Sequence, residues 1–326
     1  MDASLLPPPA HETWFEHRGF HTDWGFAGES ATLLLLGLAL MLTLAVRALA
    51  RLHPGIDVPL LARMAPWMPF ALRIHLAVSL VGLASRGDFL SPAMDLPTNA
   101  YGIAVGVAMV VVAVAMVTGY RVREASLLLV ALGPVGLFEF GLWDVLARVD
   151  LLGLAGFLLL AGPGAWSADV ELGRVRATGA FELAKGVWAL RLAVGAALVV
   201  VAFQEKLANP NLGQGFLHEH PDFNVARSIL GLDWTDLEFI RVAGAIEVLF
   251  GLLLISGALP QAAVVIAGIP FNATLWFFGT VELLGHLPTY GTMLVLLVLG
   301  SHPLLRAATS DPWPFGRRER YSAAPP

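Results

Sequence analysis

Apart from a polar and aromatic opening over residues 1–29, the sequence is built from long apolar runs separated by short polar breaks. A helix that crosses a bilayer needs about 20 predominantly apolar residues. Runs of that length predict helices at about 30–52, 66–85, 100–119, 124–144, 149–166, 183–205, 237–257, 260–283 and 288–308. Stretches such as 103–117 and 190–203 are apolar on every face, whereas a membrane barrel strand alternates over about 10 residues. The expected fold is therefore all-α, a polytopic transmembrane bundle of about nine spans. The break between the fourth and fifth is the least marked. Residues 1–29 lack the basic stub and short apolar core of a cleavable signal peptide, so the first span is expected to remain in the protein.

Composition narrows the class. The chain is 57% hydrophobic and 14% charged with a mean hydropathy of +0.72, against about 45–50% apolar and about 25% charged for a soluble domain. A plain water-soluble enzyme is excluded. Without cysteine the chain itself can hold no disulfide, thiolate nucleophile, thiolate zinc site or iron–sulfur cluster. The net charge of −5 and the scatter of the basic residues give no nucleic-acid surface.

Those basic residues choose an orientation. With nine spans, one side carries Arg47, Arg51, Arg63, Arg121, Arg123, Arg174, Arg176, Lys185, Arg306, Arg317, Arg318 and Arg320. The other carries Arg18, Arg86, Arg148, Lys206, Arg227 and Arg241. The positive-inside rule then places the N-terminus outside and the C-terminal tail in the cytoplasm of a multi-pass cell-membrane protein. Arg73 and Arg191 fall inside spans, each near a cytoplasmic end.

The chain also reads as an internal duplication. Arg73 matches Arg191 at a shift of 118, while Gly106, Gly119, Phe140, Gly141, Leu146 and Gly153 match Gly244, Gly257, Phe278, Gly279, Leu284 and Gly291 at 138. Asp144 falls on Glu282, and the change of shift is a 20-residue insertion between Lys206 and Asp236. Two four-helix repeats with an even number of helices share one orientation, related by an axis along the membrane normal. Chance similarity among Leu, Ala, Val and Gly is the competing explanation. The implied organisation is a polar segment 1–29, an extra helix and loop 30–65, repeats at 66–182 and 183–308 with an outer insertion at 207–236, and a tail 309–326.

Particular stretches carry a resemblance. AGPGAWSAD at 161–169 closes the first repeat with a Gly-Pro-Gly, aromatic, Ser, Asp pattern. The second opens with Arg191, passes through FQEKL at 203–207 and continues into AGAIEVLFGLLLISG at 243–257. Over about 66–305 the sequence resembles the DoxX-like membrane proteins, which include the DoxD-type subunit of thiosulfate:quinone oxidoreductase. That resemblance implies a membrane bundle tied to quinone-linked redox chemistry. The repeats depart from each other where the family is polar: Met109 stands opposite Glu247, Gly87 or Asp88 opposite Lys206, and GSHPLLR at 300–306 replaces the Gly-Pro-Gly ending.

Polar residues inside spans are expensive and mark candidate sites. Glu247, near mid-span, must be protonated, paired or open to water, and Lys206 or Arg241 could pair with it. A protonated interhelical hydrogen bond is the bland alternative. Glu282 and His286 form an i,i+4 pair suited to proton relay or to a quinol hydroxyl, or simply to an interfacial ion pair. Glu247, Lys206, His286 and Glu282 are thus the candidate chemical groups, with Arg191, Arg241, Asn272 and Glu139 as candidate ligand contacts. His17 and His21, with His218 and His220, lie in histidine-rich outer segments that lack a full metal motif, so no metal is assigned to them. His75 and His302 raise haem, against which stands the usual fate of a lone intramembrane His, a helix–helix hydrogen bond.

The expected function is a membrane subunit of a quinone-linked or extracytoplasmic redox system, with a lipophilic, quinone-like ligand site in the outer half of the second repeat. Whether it is itself an enzyme stays open. Membrane lipid, a quinone and an extracytoplasmic redox protein are the expected partners. A proton-coupled carrier and a non-catalytic scaffold for a secreted redox partner are the alternatives. The topology is directly testable: a reporter fused after Arg320 is expected in the cytoplasm and one inserted in 208–234 outside. An external C-terminal tail would overturn the nine-span orientation.

Overall fold

The computed structural model describes residues 22–53, 55–175, 178–278 and 280–316, and within these the side chains of all but 276–282. Twelve helices matter for the site. They are α1 Ser30–Leu49, α2 Met68–Arg86, α3 Ala100–Thr118, α4 Val122–Gly136, α5 Leu142–Ala147 and α6 Asp150–Ala161, then α7 Ala180–Ala202, α8 Pro210–Glu219, α9 Asp236–Ser256, α10 Pro260–Phe278, α11 Thr280–Gly300 and α12 Arg306–Ser310. No strand occurs among the described residues, only an isolated bridge between Asp88 and Asp95.

Local chemistry sets many of the boundaries. Asn99 caps α3 by accepting from the Gly102 N–H at 3.1 Å, and Thr235 with Glu238 closes a reciprocal capping box at the start of α9. α2, α3 and α9 each stop at a glycine in the left-handed region, Gly87, Gly119 and Gly257.

Among the described residues, six helices are long and apolar enough to cross a membrane: Ser30–Leu49, Ala65–Arg86, Ala100–Thr118, Ala180–Leu207, Asp236–Ser256 and Leu283–Gly300. Asp150–Ala161 and Pro260–Leu275 are shorter apolar helices. Three expected elements differ in detail. The run at 124–144 is divided by a break at 137–141, which leaves the 15-residue α4 only about 22 Å long. The run at 149–166 ends at Ala161 because Gly162 takes a φ of 78°. The last helix spans Thr280–Gly300 rather than 288–308 and carries Pro288 in its interior, so His302 lies in the turn beyond it.

Helix neighbours form a closed order. α2 packs on α3 and α11, α7 packs on α9 and α6, α4 packs on α6 and α10 on α11, while α1 lies against α9. Glycines allow the closest crossings. A methyl on Gly153 of α6 would come within 2.6 Å of Ala193 Cβ and 3.1 Å of Leu190 Cα. A methyl on Gly291 of α11 would come within 2.9 Å of Leu72 Cδ1 and 3.1 Å of His75 Cβ. These partners sit at the sequence offsets of 138 and 118.

The same offsets recur at two buried guanidiniums. Arg73 donates through Nη1 to the Met116 carbonyl at 2.6 Å and through Nη2 to Ala165 and Trp166 at 2.9 and 3.0 Å. Arg191 donates through Nη1 to the Leu254 carbonyl at 3.2 Å and through Nη2 to Asp311 at 2.7 Å. Each fills the carbonyl end of a helix, where acceptors lack intrahelical donors and a positive charge is favoured. Arg47 of α1 adds bonds to the Gly257 and Ser310 carbonyls at 3.1 and 2.9 Å.

This packing predicts unequal costs for two like substitutions. Gly87→Ala meets nothing within 4 Å and should cost only the left-handed backbone term, about 1–2 kcal/mol. At Gly257 the new methyl would collide with Arg191 Nη1 and lie 2.8 Å from the Ser310 carbonyl. Thermal unfolding in detergent should therefore show Gly257→Ala to be the more destabilising by at least about 2 kcal/mol. Equal losses would contradict the lock.

Candidate functional site

The last turn of α7 changes winding. Phe203–Leu207 forms a π turn, an insertion that re-aims side chains and often marks functional positions. Glu205 and Lys206 are both buried as a result. The facing surface of α9 carries Gly244, Glu247 and Gly251, which share one side by helical spacing. A methyl on Gly251 would lie 2.6 Å from the Gly195 carbonyl, and one on Gly244 would lie 2.7 Å from Leu207 Cδ2. Small residues above and below Glu247 thus let the two backbones approach, and the carboxylate points at the π turn.

There Lys206 Nζ stands 3.0 Å from Glu247 Oε1 and 3.4 Å from Glu205 Oε2. The Lys206 and Glu205 side chains are each 7% exposed, whereas that of Glu247 is 31% exposed. Glu247 lies 11 residues into α9, about 16 Å along its axis, and its Oε2 is buried without a hydrogen bond among the described residues. Fully ionised, the cluster holds two carboxylates against one ammonium. An uncompensated charge in an apolar slab is costly, so the arrangement favours one bound proton.

Aromatic side chains cover this end. Trp24 stacks 6.1 Å from Phe203 and lies 6.1 Å from Trp143. The segment read as an insertion supplies α8, whose Phe216 and Leu217 pack on Phe26 and Ile240. Beside the π turn, Gln204 Nε2 donates to Asp144 Oδ1 at 2.8 Å, and Arg148 Nη2 lies 3.4 Å from Asp150 Oδ2.

The structure brings Lys206 and Glu247 together and sets the other candidates elsewhere. Arg241 pairs with Glu29, donates to Thr32 Oγ1 at 3.1 Å and lies over the Phe26 ring at 4.5 Å, so it clamps the start of α1 rather than Glu247. Arg191 belongs to the opposite end of α9. Asn272 is exposed and donates to the Gly268 carbonyl at 2.7 Å, and Glu139 is exposed in the break after α4. The His286 ring lies 4.8 Å from Phe271 and 6.5 Å from Tyr290. The Glu282 side chain, His17 and His21 fall outside the described residues.

His218 is exposed, and the His220 ring lies against Phe216 at 5.1 Å. No group of three or more His, Cys, Asp or Glu able to hold a metal occurs among the described residues. His75 Nδ1 bonds to the Ala71 carbonyl of its own helix at 2.8 Å, and His302 Nδ1 accepts from the Leu304 N–H at 3.2 Å. Both nitrogens are thus engaged locally.

No protein-family model, curated protein or solved structure matches the chain. The chemistry is therefore read from the site's own geometry. Sequence reasoning passed over Glu205, beside Lys206 in FQEKL, and Asp150, at the head of the apolar run 151–161.

Pairing of the three charges predicts strong coupling. Lys206→Met alone leaves two carboxyl groups, one of them buried, without their shared ammonium and should destabilise by about 3 kcal/mol. Adding Glu247→Gln should recover more than half of that loss. The measurement is a double-mutant cycle by thermal unfolding in detergent, and strictly additive effects would contradict the cluster.

Proposed function

We propose that the chain is a membrane subunit of a quinone-linked redox system in which Glu247 exchanges protons with a lipophilic ligand. The observation that carries this reading is Lys206 held between Glu205 and Glu247 with only Glu247 partly open. An embedded carboxylate whose pairing already competes with protonation is suited to accept and release a proton. The likeness of 203–207 and 243–257 to DoxX-like proteins is what points from a proton exchanger to a quinone.

A quinone supplies electron transfer coupled to proton transfer. The cavity beside Glu205 holds only about 40 Å³, too little for such a ring. Its headgroup would therefore meet the open side of Glu247 from the lipid. Glu247 would accept a hydrogen bond or a proton there, Lys206 would hold the carboxylate in place, and the Trp24 and Phe203 rings would limit water at that end.

The nine-span, two-repeat architecture belongs to the same proposal. It is supported by Arg73 and Arg191, whose carbonyl partners Met116 and Leu254 differ by the same 138 residues as Gly119 and Gly257. We place the π turn at the outer end and α12 at the cytoplasmic end, on the strength of the basic-residue bias.

The test is ligand retention and proton uptake by the purified protein. Lipid extracts of the wild type should contain a quinone. A short-chain quinone should quench the Trp fluorescence at least tenfold less effectively with Glu247→Gln, which keeps shape and folding. Wild-type quenching by that variant would overturn the assignment. Absence of quinone with proton-coupled flux in proteoliposomes would favour a carrier instead.

A further inference from the structure

Glu247 and Glu205 both pair with the Lys206 ammonium, and Lys206 and Glu205 are buried. On the far side of Glu205 is the small cavity, about 40 Å³, bounded by Ser91, Asp144, Arg148, Val201, Gln204 and Glu205. Exposed Ala93 also borders it and connects it to the surface.

That space has room for at least one water, which needs two to four polar partners to stay. Its walls provide them. Arg148 Nε is buried and makes no hydrogen bond among the described residues. Arg148 Nη2 pairs with buried Asp150 at 3.4 Å, which leaves Nε unmatched. Buried polar atoms in this condition call for water. The Arg148 guanidinium in its wall disfavours a metal cation.

We propose that this hydrated cavity is the mouth of a proton route that runs through Glu205 and Lys206 to Glu247. The proposal rests on the reading of Glu247 as a proton-exchanging group. For uptake, the Lys206 ammonium gives a proton to the Glu247 carboxylate, and the amine left behind takes one from protonated Glu205. Glu205 then recovers its proton from a hydronium ion that reaches the cavity from bulk solvent, which leaves a neutral water there. One proton has moved inward and every other group is restored. Release runs the same steps in reverse. The charged groups around Glu205 are Lys206, with Glu247 beyond it, and Asp144 and Arg148 of the cavity wall, and no histidine lines the cavity.

The experiment follows the Glu247 carboxyl by infrared difference spectroscopy of the full chain in lipid nanodiscs. The band is assigned by its loss in Glu247→Gln, and its shift is timed after transfer into D2O. Exchange should slow at least tenfold in Glu205→Gln. It should also slow at least tenfold in Ala147→Leu, which fills the cavity from its wall without changing a charge and serves alone if the first variant folds poorly. Wild-type exchange in Ala147→Leu and Glu205→Gln would overturn the route while leaving Glu247 as a proton acceptor. No band lost in Glu247→Gln would remove both the route and the function it rests on.

Discussion

In an apolar slab, a helix that ends leaves carbonyls with no water to satisfy them, and the fold is organised around that constraint. Arg73 and Arg191 answer it by reaching from one helix to the end of the next, α2 to α3 and α7 to α9. In each case the second amino group holds a carbonyl of a segment much later in the chain, Ala165 or Asp311. One side chain therefore fixes three pieces of backbone. The glycines at 119 and 257 are needed for the turn and for the space the guanidiniums occupy.

That shared frame makes the asymmetry of the site informative. α2 stops at Gly87, whose left-handed backbone turns the chain away, and the following Asp88 pairs with Arg86 at 2.9 Å. α7 instead runs on through a π turn and presents Glu205 and Lys206 inward. Across from these, α3 offers the fully buried Met109 where α9 offers Glu247. Two packing environments built from similar contacts thus differ in one respect: one end is apolar and closed, the other charged and partly open. Stability alone gives no reason for the charged version, since well-packed apolar groups would serve as well or better.

Much of the bundle was legible because apolar runs and glycine stops are local signals. The matching of Gly119 with Gly257 and of Arg73 with Arg191 could be read from spacing alone, while the left-handed φ of the two glycines came from the structure. Lys206 was one of two partners the sequence offered Glu247, and it is the one found at 3.0 Å. The break at 137–141 was harder to see, because an apolar run does not disclose where it bends. Pro288 was an equally poor guide, as a helix packed among others can keep a proline in its interior. Arg241 deceived for another reason: its place at the head of Glu247's own helix suggested a pairing, whereas Glu29 and Thr32 of α1 claim it. Sequence distance carries no record of such long-range competition.

The charge balance of the site links its stability to its chemistry. Removing the proton from a cluster of two carboxylates and one lysine leaves a net negative charge beside lipid, while adding one makes the group neutral overall. The Lys206 ammonium opposes full neutralisation, because it favours ionised partners at 3.0 and 3.4 Å. Burial and pairing therefore act on the carboxyl groups in opposite directions. A group in that condition responds to small changes at its open face, such as the arrival or departure of a hydrogen-bonding ligand. Glu205 is closed off from that face and Glu247 is not, so a change at the open face reaches Glu247 first. The lysine between them makes each sensitive to the other.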